Sequence, residues 1–278
     1  MSRLITYQSL WAAERRTPGV AEPSYDEKFD EAKAAGFDGM SVDLGALPLP
    51  AAEEVIPQFA RTGLRGGVTT FARSIQDIRP SIAFAKAIGA PFVVVVGQVM
   101  PVAIEGMIPV IRAWIEIAEA EGMPLQFETH RGCITNDLYI ALQLLDAVPE
   151  MQMACDLSHY VVDRELYLPL SPTIAAQFDR VIQRCGSFQG RVASGQQIQL
   201  PLHFPQTQRW LDLFTGWWRD GFRHWRARHG ADEDCVFLCE LGPREYAMTG
   251  ADGLEFSDRQ AEARQLRDLA LKLWDETA

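Results

Sequence analysis

Apolar positions along the chain alternate between two rhythms. Short runs rich in β-branched and other apolar residues occupy 4–11, 39–44, 64–71, 91–97, 124–128, 151–156, 187–193 and 235–241, and these predict strands. Between them lie longer segments with apolar residues at three- and four-residue spacing, which predict helices over 26–35, 51–61, 74–88, 102–120, 136–147, 172–184, 206–229 and 258–274. Ser24 with Glu27 forms a capping box at the start of the first helix, and Gly36, Gly63, Gly89 and Gly122 stand where helices stop. The run Phe92-Val-Val-Val-Val-Gly97 has no polar alternation, as expected of a strand covered on both faces of a parallel sheet.

Eight strand–helix alternations at intervals of about 25 to 45 residues predict an α/β fold, a closed (β/α)8 TIM barrel, spanning 1–278 as a single domain. No shift in composition marks a boundary, and residues 4–11 lead into no glycine-rich phosphate turn of the kind a doubly wound sheet would carry. The composition, 47% apolar and 23% charged, is that of a soluble globular protein. No apolar run approaches the roughly 18 residues of a membrane span, and the first residues lack a signal-like apolar segment, so no membrane partner and a cytoplasmic location are expected. A net charge of −11 argues against a nucleic-acid partner, because phosphate binding needs clustered Lys and Arg. The five cysteines include no Cys-x-x-Cys spacing, and buried reduced thiols are expected.

Strand periodicity assigns side chains to faces. In 124–130, Gln126, Glu128 and His130 share one face. In 151–156, Gln152, Ala154 and Asp156 do so, and in 187–193, Ser187, Gln189 and Arg191. Glu240 is the one charged residue between Phe237 and Pro243. In a parallel barrel the carboxyl ends of the strands carry the chemistry, so Glu128, Asp156 and Glu240 are expected to converge there. Three such charges require compensation, which a divalent cation supplies. Oxygen ligation suits Mg²⁺ or Mn²⁺, and a nitrogen ligand would extend this to Co²⁺ or Zn²⁺. As a plain alternative, each acid could cap the helix that follows it.

The segments Glu128-Thr-His-Arg131, Asp156-Leu-Ser-His159, Phe188-Gln-Gly-Arg-Val192 and Glu240-Leu-Gly-Pro243 resemble, in order, the strand 5 to 8 motifs of the xylose-isomerase-like sugar-phosphate isomerase and epimerase barrels. The resemblance implies a divalent-metal-dependent isomerase or epimerase acting on a sugar, sugar phosphate or related hydroxy-carbonyl compound through a metal-stabilised enediolate. It carries metal ligation to Glu128, Asp156 and Glu240, and substrate contact to His159. Glu128 and Glu240 would take and return the proton. Arg191 is positioned to hold a substrate oxygen, and His130 to line the site. The chain departs from the family at Gln189, which stands where the metal histidine should be. An amide oxygen ligates more weakly than imidazole, so a ligand-binding barrel without turnover is an alternative. A metal-assisted dehydratase on the same scaffold is another, since loss of hydroxide can follow proton abstraction. The superfamily's DNA-repair nucleases fit poorly, with five histidines and an acidic chain.

The row Trp210, Phe214, Trp217, Trp218, Phe222 and Trp225 follows helical spacing and predicts packing on the barrel, with width enough to serve a homodimer interface as well. The stretches 160–172 and 195–204, the second containing His203, are long enough to fold over the site as loops. His224 and His229 lie at a basic helix end, a placement that suits the helix dipole and requires no function.

Overall fold

Strand Leu4–Ser9 (β1) pairs in parallel with Gly39–Asp43 (β2) on one side and with Cys235–Cys239 (β8) on the other, so the sheet has no edge. The intervening strands are Arg65–Ala72 (β3), Val93–Gly97 (β4), Leu125–Glu128 (β5), Met153–Cys155 (β6) and Cys185–Gly190 (β7), each hydrogen-bonded to its neighbours in sequence order. The computed structural model describes residues 2–278. Its ten helices are Tyr25–Ala34 (α1), Leu49–Ala52 (α2), Ile56–Thr62 (α3), Ile78–Ala87 (α4), Ile104–Ala120 (α5), Leu138–Ala147 (α6), Leu157–Asp163 (α7), Pro172–Ile182 (α8), Gln208–Arg228 (α9) and Arg259–Asp275 (α10). This is a (β/α)8 barrel in a single domain.

Local chemistry explains the boundaries. Ser24 and Glu27 close their capping box at α1, and Gly63, at φ 70°, ends α3 in a left-handed turn that suits glycine. Helix α4 begins later than the periodicity suggests, because the Asp77 carboxylate takes the backbone N–H groups of Arg73 and Ser74 and holds 73–77 as a turn. Residues 157–163 are helix rather than the loop expected over 160–172. The Asp156 carboxylate accepts from the Ser158 N–H and caps α7 at its start.

Two cores hold the barrel. The larger lies between strands and helices, and the α9 aromatics belong to it: Trp210, Phe214, Trp217, Trp218, Phe222 and Trp225 are all buried within the chain. The row therefore packs against its own barrel. Inside the ring, Ile5, Tyr7, Val236 and Leu238 form a smaller plug. Tyr7 fits because its neighbours on β2 and β3 are Gly39 and Gly67. A Cβ on Gly39 would lie 2.5 Å from the Tyr7 ring. Phe92 packs against this plug.

One expectation about cysteine is corrected. Cys155 and Cys185 are joined as a disulfide between β6 and β7, with Cα atoms 5.9 Å apart, while Cys133, Cys235 and Cys239 are free and buried. Thirty residues separate the pair in sequence, and only the adjacency of the two strands brings them together.

Candidate functional site

The residues singled out in the sequence meet at the carboxyl rim. Glu128 is the last residue of β5, Asp156 follows β6, Gln189 is next to last in β7, Arg191 follows β7, and Glu240 follows β8. All five are buried, between 0% and 5% exposed. Oxygen atoms of Glu128, Asp156 and Glu240 lie within 4.8 Å of one another. Backbone latches fix two of the acids: Thr135 donates its hydroxyl to the Glu128 carbonyl, and Thr129 donates to the Asp156 carbonyl at 2.7 Å.

Arg191 runs through this cluster. Its Nη1 donates to Asp156 Oδ2 at 2.5 Å, its Nη2 to Glu240 Oε2 at 2.9 Å, and its Nε to the Glu240 carbonyl at 2.9 Å. The guanidinium carbon lies 4.8 Å from the centre of the Tyr246 ring. Asp156 spends its other oxygen on the N–H and hydroxyl of Ser158. The cation expected to balance the acids is thus in part a side chain. By contrast, Glu128 Oε2 and Gln189 Oε1 are buried acceptors with no hydrogen-bond partner.

Burial raises the Glu128 carboxyl well above the ordinary range, and the charges of Glu240 and Asp156 add to this. Glu240 is pushed up to about 8, again first by burial, against the pull of Arg191. Such strain is relieved by a proton or by a cation. The three carboxylates and one guanidinium leave a formal charge of minus two, and the two unpartnered oxygens are hard donors. The residues present therefore fit a divalent ion, with Glu128, Gln189, Asp156 and Glu240 as its candidate holders.

The histidines form a pair beside the acids. His130 and His159 lie with ring centres 4.1 Å apart and their planes tilted by 42°, and Phe71 meets His130 edge-on at 5.6 Å. His159 Nδ1 accepts from Arg131 Nε at 3.1 Å, so in the neutral ring the proton belongs on Nε2, which lies 3.4 Å from Asp156 Oδ2. Burial lowers His130 to about 4 and His159 well below its usual value, the latter with further help from neighbouring positive charge. Both are neutral hydrogen-bonding groups at pH 7.

Glu128, Glu240, Arg191, His130 and His159 line a cavity of about 330 Å³ at the rim, with Asp156 and Gln189 outside its wall. Its wall adds Trp11, Asp43, Arg16 and Arg73, none of which was singled out in the sequence. Asp43 closes β2 as Glu128 closes β5 and was findable by the same rule. Its Oδ1 accepts from the N–H groups of Gly45 and Ala46, at 2.7 and 3.2 Å. His203 is not part of the site. It is exposed and faces Glu262 of α10 at 3.6 Å. His224 pairs with Asp179, and His229 stacks on Trp225, as plain helix-end roles.

Residues 29–191 match the family model described as the xylose isomerase-like TIM barrel. The chain belongs to this family. No curated protein matches it. Solved structures that resemble this xylose isomerase-like barrel include a xylose isomerase-like TIM barrel protein from Mycobacterium smegmatis in complex with magnesium, at 15% identity over 97% of both chains and a TM-score of 0.64. D-allulose 3-epimerase from Methylomonas sp. in complex with D-allulose is similar at 13% identity, 100% and 98% coverage, and a TM-score of 0.61. L-ribulose 3-epimerase follows at 14% identity, 99% and 96% coverage, and 0.59. At such identities the likeness speaks for the fold. Among the described residues, no helix is long and apolar enough to cross a membrane.

Proposed function

We propose that this barrel is an isomerase or epimerase of a small hydroxy-carbonyl compound of the sugar or sugar-acid class. The observation that carries the reading is the pair Glu128 and Glu240, two buried carboxyls with raised proton affinity in the floor of one rim cavity. Proton transfer next to a carbonyl needs a base whose affinity for protons lies near the working pH, and burial brings carboxylates there. Sugar epimerases among the structural neighbours support the same reading.

A divalent ion held by Glu128, Asp156, Gln189 and Glu240, whether Mg²⁺, Mn²⁺, Co²⁺ or Zn²⁺, would supply Lewis-acid polarisation of a carbonyl and a neighbouring hydroxyl. The chain's own residues do the rest. One of Glu128 and Glu240, ionised, takes the proton from the carbon next to the carbonyl, and the electron pair left behind moves towards the carbonyl oxygen. The other, protonated, returns a proton to the opposite face of that carbon, giving the epimer, or to the neighbouring carbon, giving the isomer. Neutral His130 and His159 can hydrogen-bond substrate hydroxyls without adding charge. Arg191, expected from the sequence to hold a substrate oxygen, is taken up instead by Asp156 and Glu240 and keeps those acids in place, while Trp11 and Phe71 narrow the space and limit water.

Gln189 and the Arg191 ion pairs favour a second reading, a barrel that binds such a compound without turning it over. Incubating the metal-loaded protein in D₂O with a panel of ketoses and keto-acids separates the two. Deuterium at the carbon beside the carbonyl is expected, and ligand binding without any exchange would leave only the binder.

A further inference from the structure

We infer that Arg191 is a resident counter-ion of the carboxylate cage, sharing Asp156 and Glu240 with the divalent ion and holding them together in its absence. The inference rests on the metal reading of the same site. Three observations support it. The guanidinium is 1% exposed and bonded to both carboxylates, so its charge is spent inside the cluster. Asp156 has donors on both oxygens, Arg191 on one side and Ser158 on the other. The acceptors left without a donor, Glu128 Oε2 and Gln189 Oε1, are the two that Arg191 does not touch.

Two consequences follow from elementary electrostatics. A fixed positive charge within bonding distance of two prospective ligands repels an incoming cation and occupies lone pairs it would use, which lowers affinity. The same charge spares Asp156 and Glu240 mutual repulsion, so the floor of the barrel stays assembled without metal. Arg191 is in this sense a positioning residue: it sets how the acids face the cavity and how tightly an ion is held.

The test uses the full chain stripped with EDTA, with Mn²⁺ binding read by calorimetry and stability by thermal melting. Wild type is expected to melt nearly unchanged in EDTA. Arg191→Met is expected to melt well below it in EDTA, to recover on adding Mn²⁺, and to bind Mn²⁺ about tenfold more tightly or better. Arg191→Lys, which keeps the charge but cannot bridge both acids, is expected to fall between. Unchanged or weaker Mn²⁺ binding by Arg191→Met would overturn the inference, as would failure of Mn²⁺ to restore its stability. If wild type binds no Mn²⁺ but Arg191→Met does, the counter-ion role stands and metal dependence of the native protein falls. Should Arg191→Met not fold, the wild-type guanidinium signals report instead. In ¹⁵N spectra the Arg191 Nε–H should shift with Mg²⁺ at the midpoint found by calorimetry with Mg²⁺, and an unmoved signal at saturation contradicts the inference.

Discussion

Arg131 donates to the Nδ1 of His159 at 3.1 Å, and the ring's Nε2 lies 3.4 Å from both Asp156 Oδ2 and Arg191 Nη1. The Arg131 donor at Nδ1 and the Asp156 carboxylate at Nε2 favour the tautomer protonated on Nε2, and the ring lies tilted against that of His130. Replacing His159 with Phe keeps the ring-to-ring contact with His130 and removes both polar ends. We expect the apparent substrate affinity to fall about tenfold or more, the scale of one or two lost hydrogen bonds, with melting temperature changed little; initial rates against substrate concentration and a thermal melt check both.

His130 gives the acid limb of the stability profile. Its folded pKa is about 4, below the ordinary 6.5, so between these values the unfolded chain binds the proton and the native state does not. Stability contributed by this group is therefore present above about 6.5 and is lost as pH falls towards 4. Melting temperatures from pH 7 to pH 5 should decline less steeply for His130→Asn than for wild type. Parallel slopes would place the ring in a wetter setting.

Glu240 acts in the opposite direction. Its folded pKa is about 8, above the ordinary 4.5, so the native state holds the extra proton in that window. The contribution is complete below the unfolded value and disappears as pH rises through 8. Metal-stripped wild type should lose melting temperature from pH 6.5 to pH 9, and Glu240→Gln should flatten that slope. Saturating Mn²⁺ should flatten it as well, by stabilising the ionised form.

The two acids also separate the halves of the proposed reaction. Glu128→Gln and Glu240→Gln are each expected to lower turnover by about a hundred- to ten-thousandfold, the usual contribution of a positioned acid or base. The variant that keeps the abstracting acid should still exchange the substrate proton with D₂O while forming no product. Loss of exchange and turnover together in both variants would mean that the acids act only as ligands or as structure.

Gln189 faces the cage with an unpartnered oxygen, and an imidazole there offers a better ligand for a transition ion. Gln189→His should bind Mn²⁺ or Co²⁺ about tenfold more tightly or better, by calorimetry on stripped protein. An unchanged affinity would remove position 189 from the set of ligands.

The barrel was legible because short apolar runs alternate with longer segments of helical spacing eight times along the chain. Period-two alternation was enough to place Glu128, Gln189, Arg191 and Glu240 on one rim, since a strand allows a side chain only two directions. Three things escaped that logic. Helix α7 is seven residues long and depends on the Asp156 cap, too short for periodicity to declare. The Cys155–Cys185 pairing depends on strand adjacency, which composition does not encode. The pairing of Arg191 with Asp156 and Glu240 is a matter of side-chain reach across two neighbouring strands, so a charge that seemed available to substrate is already engaged by the acids.

The most direct test of the carboxylate cage is a crystal of the protein soaked in Mn²⁺ and measured at the manganese edge. The expected result is one anomalous peak at the barrel mouth, in contact with Glu128 and Glu240 and bordered by Asp156 and Gln189. A saturated soak with no peak there, or with manganese bound only elsewhere, would contradict it.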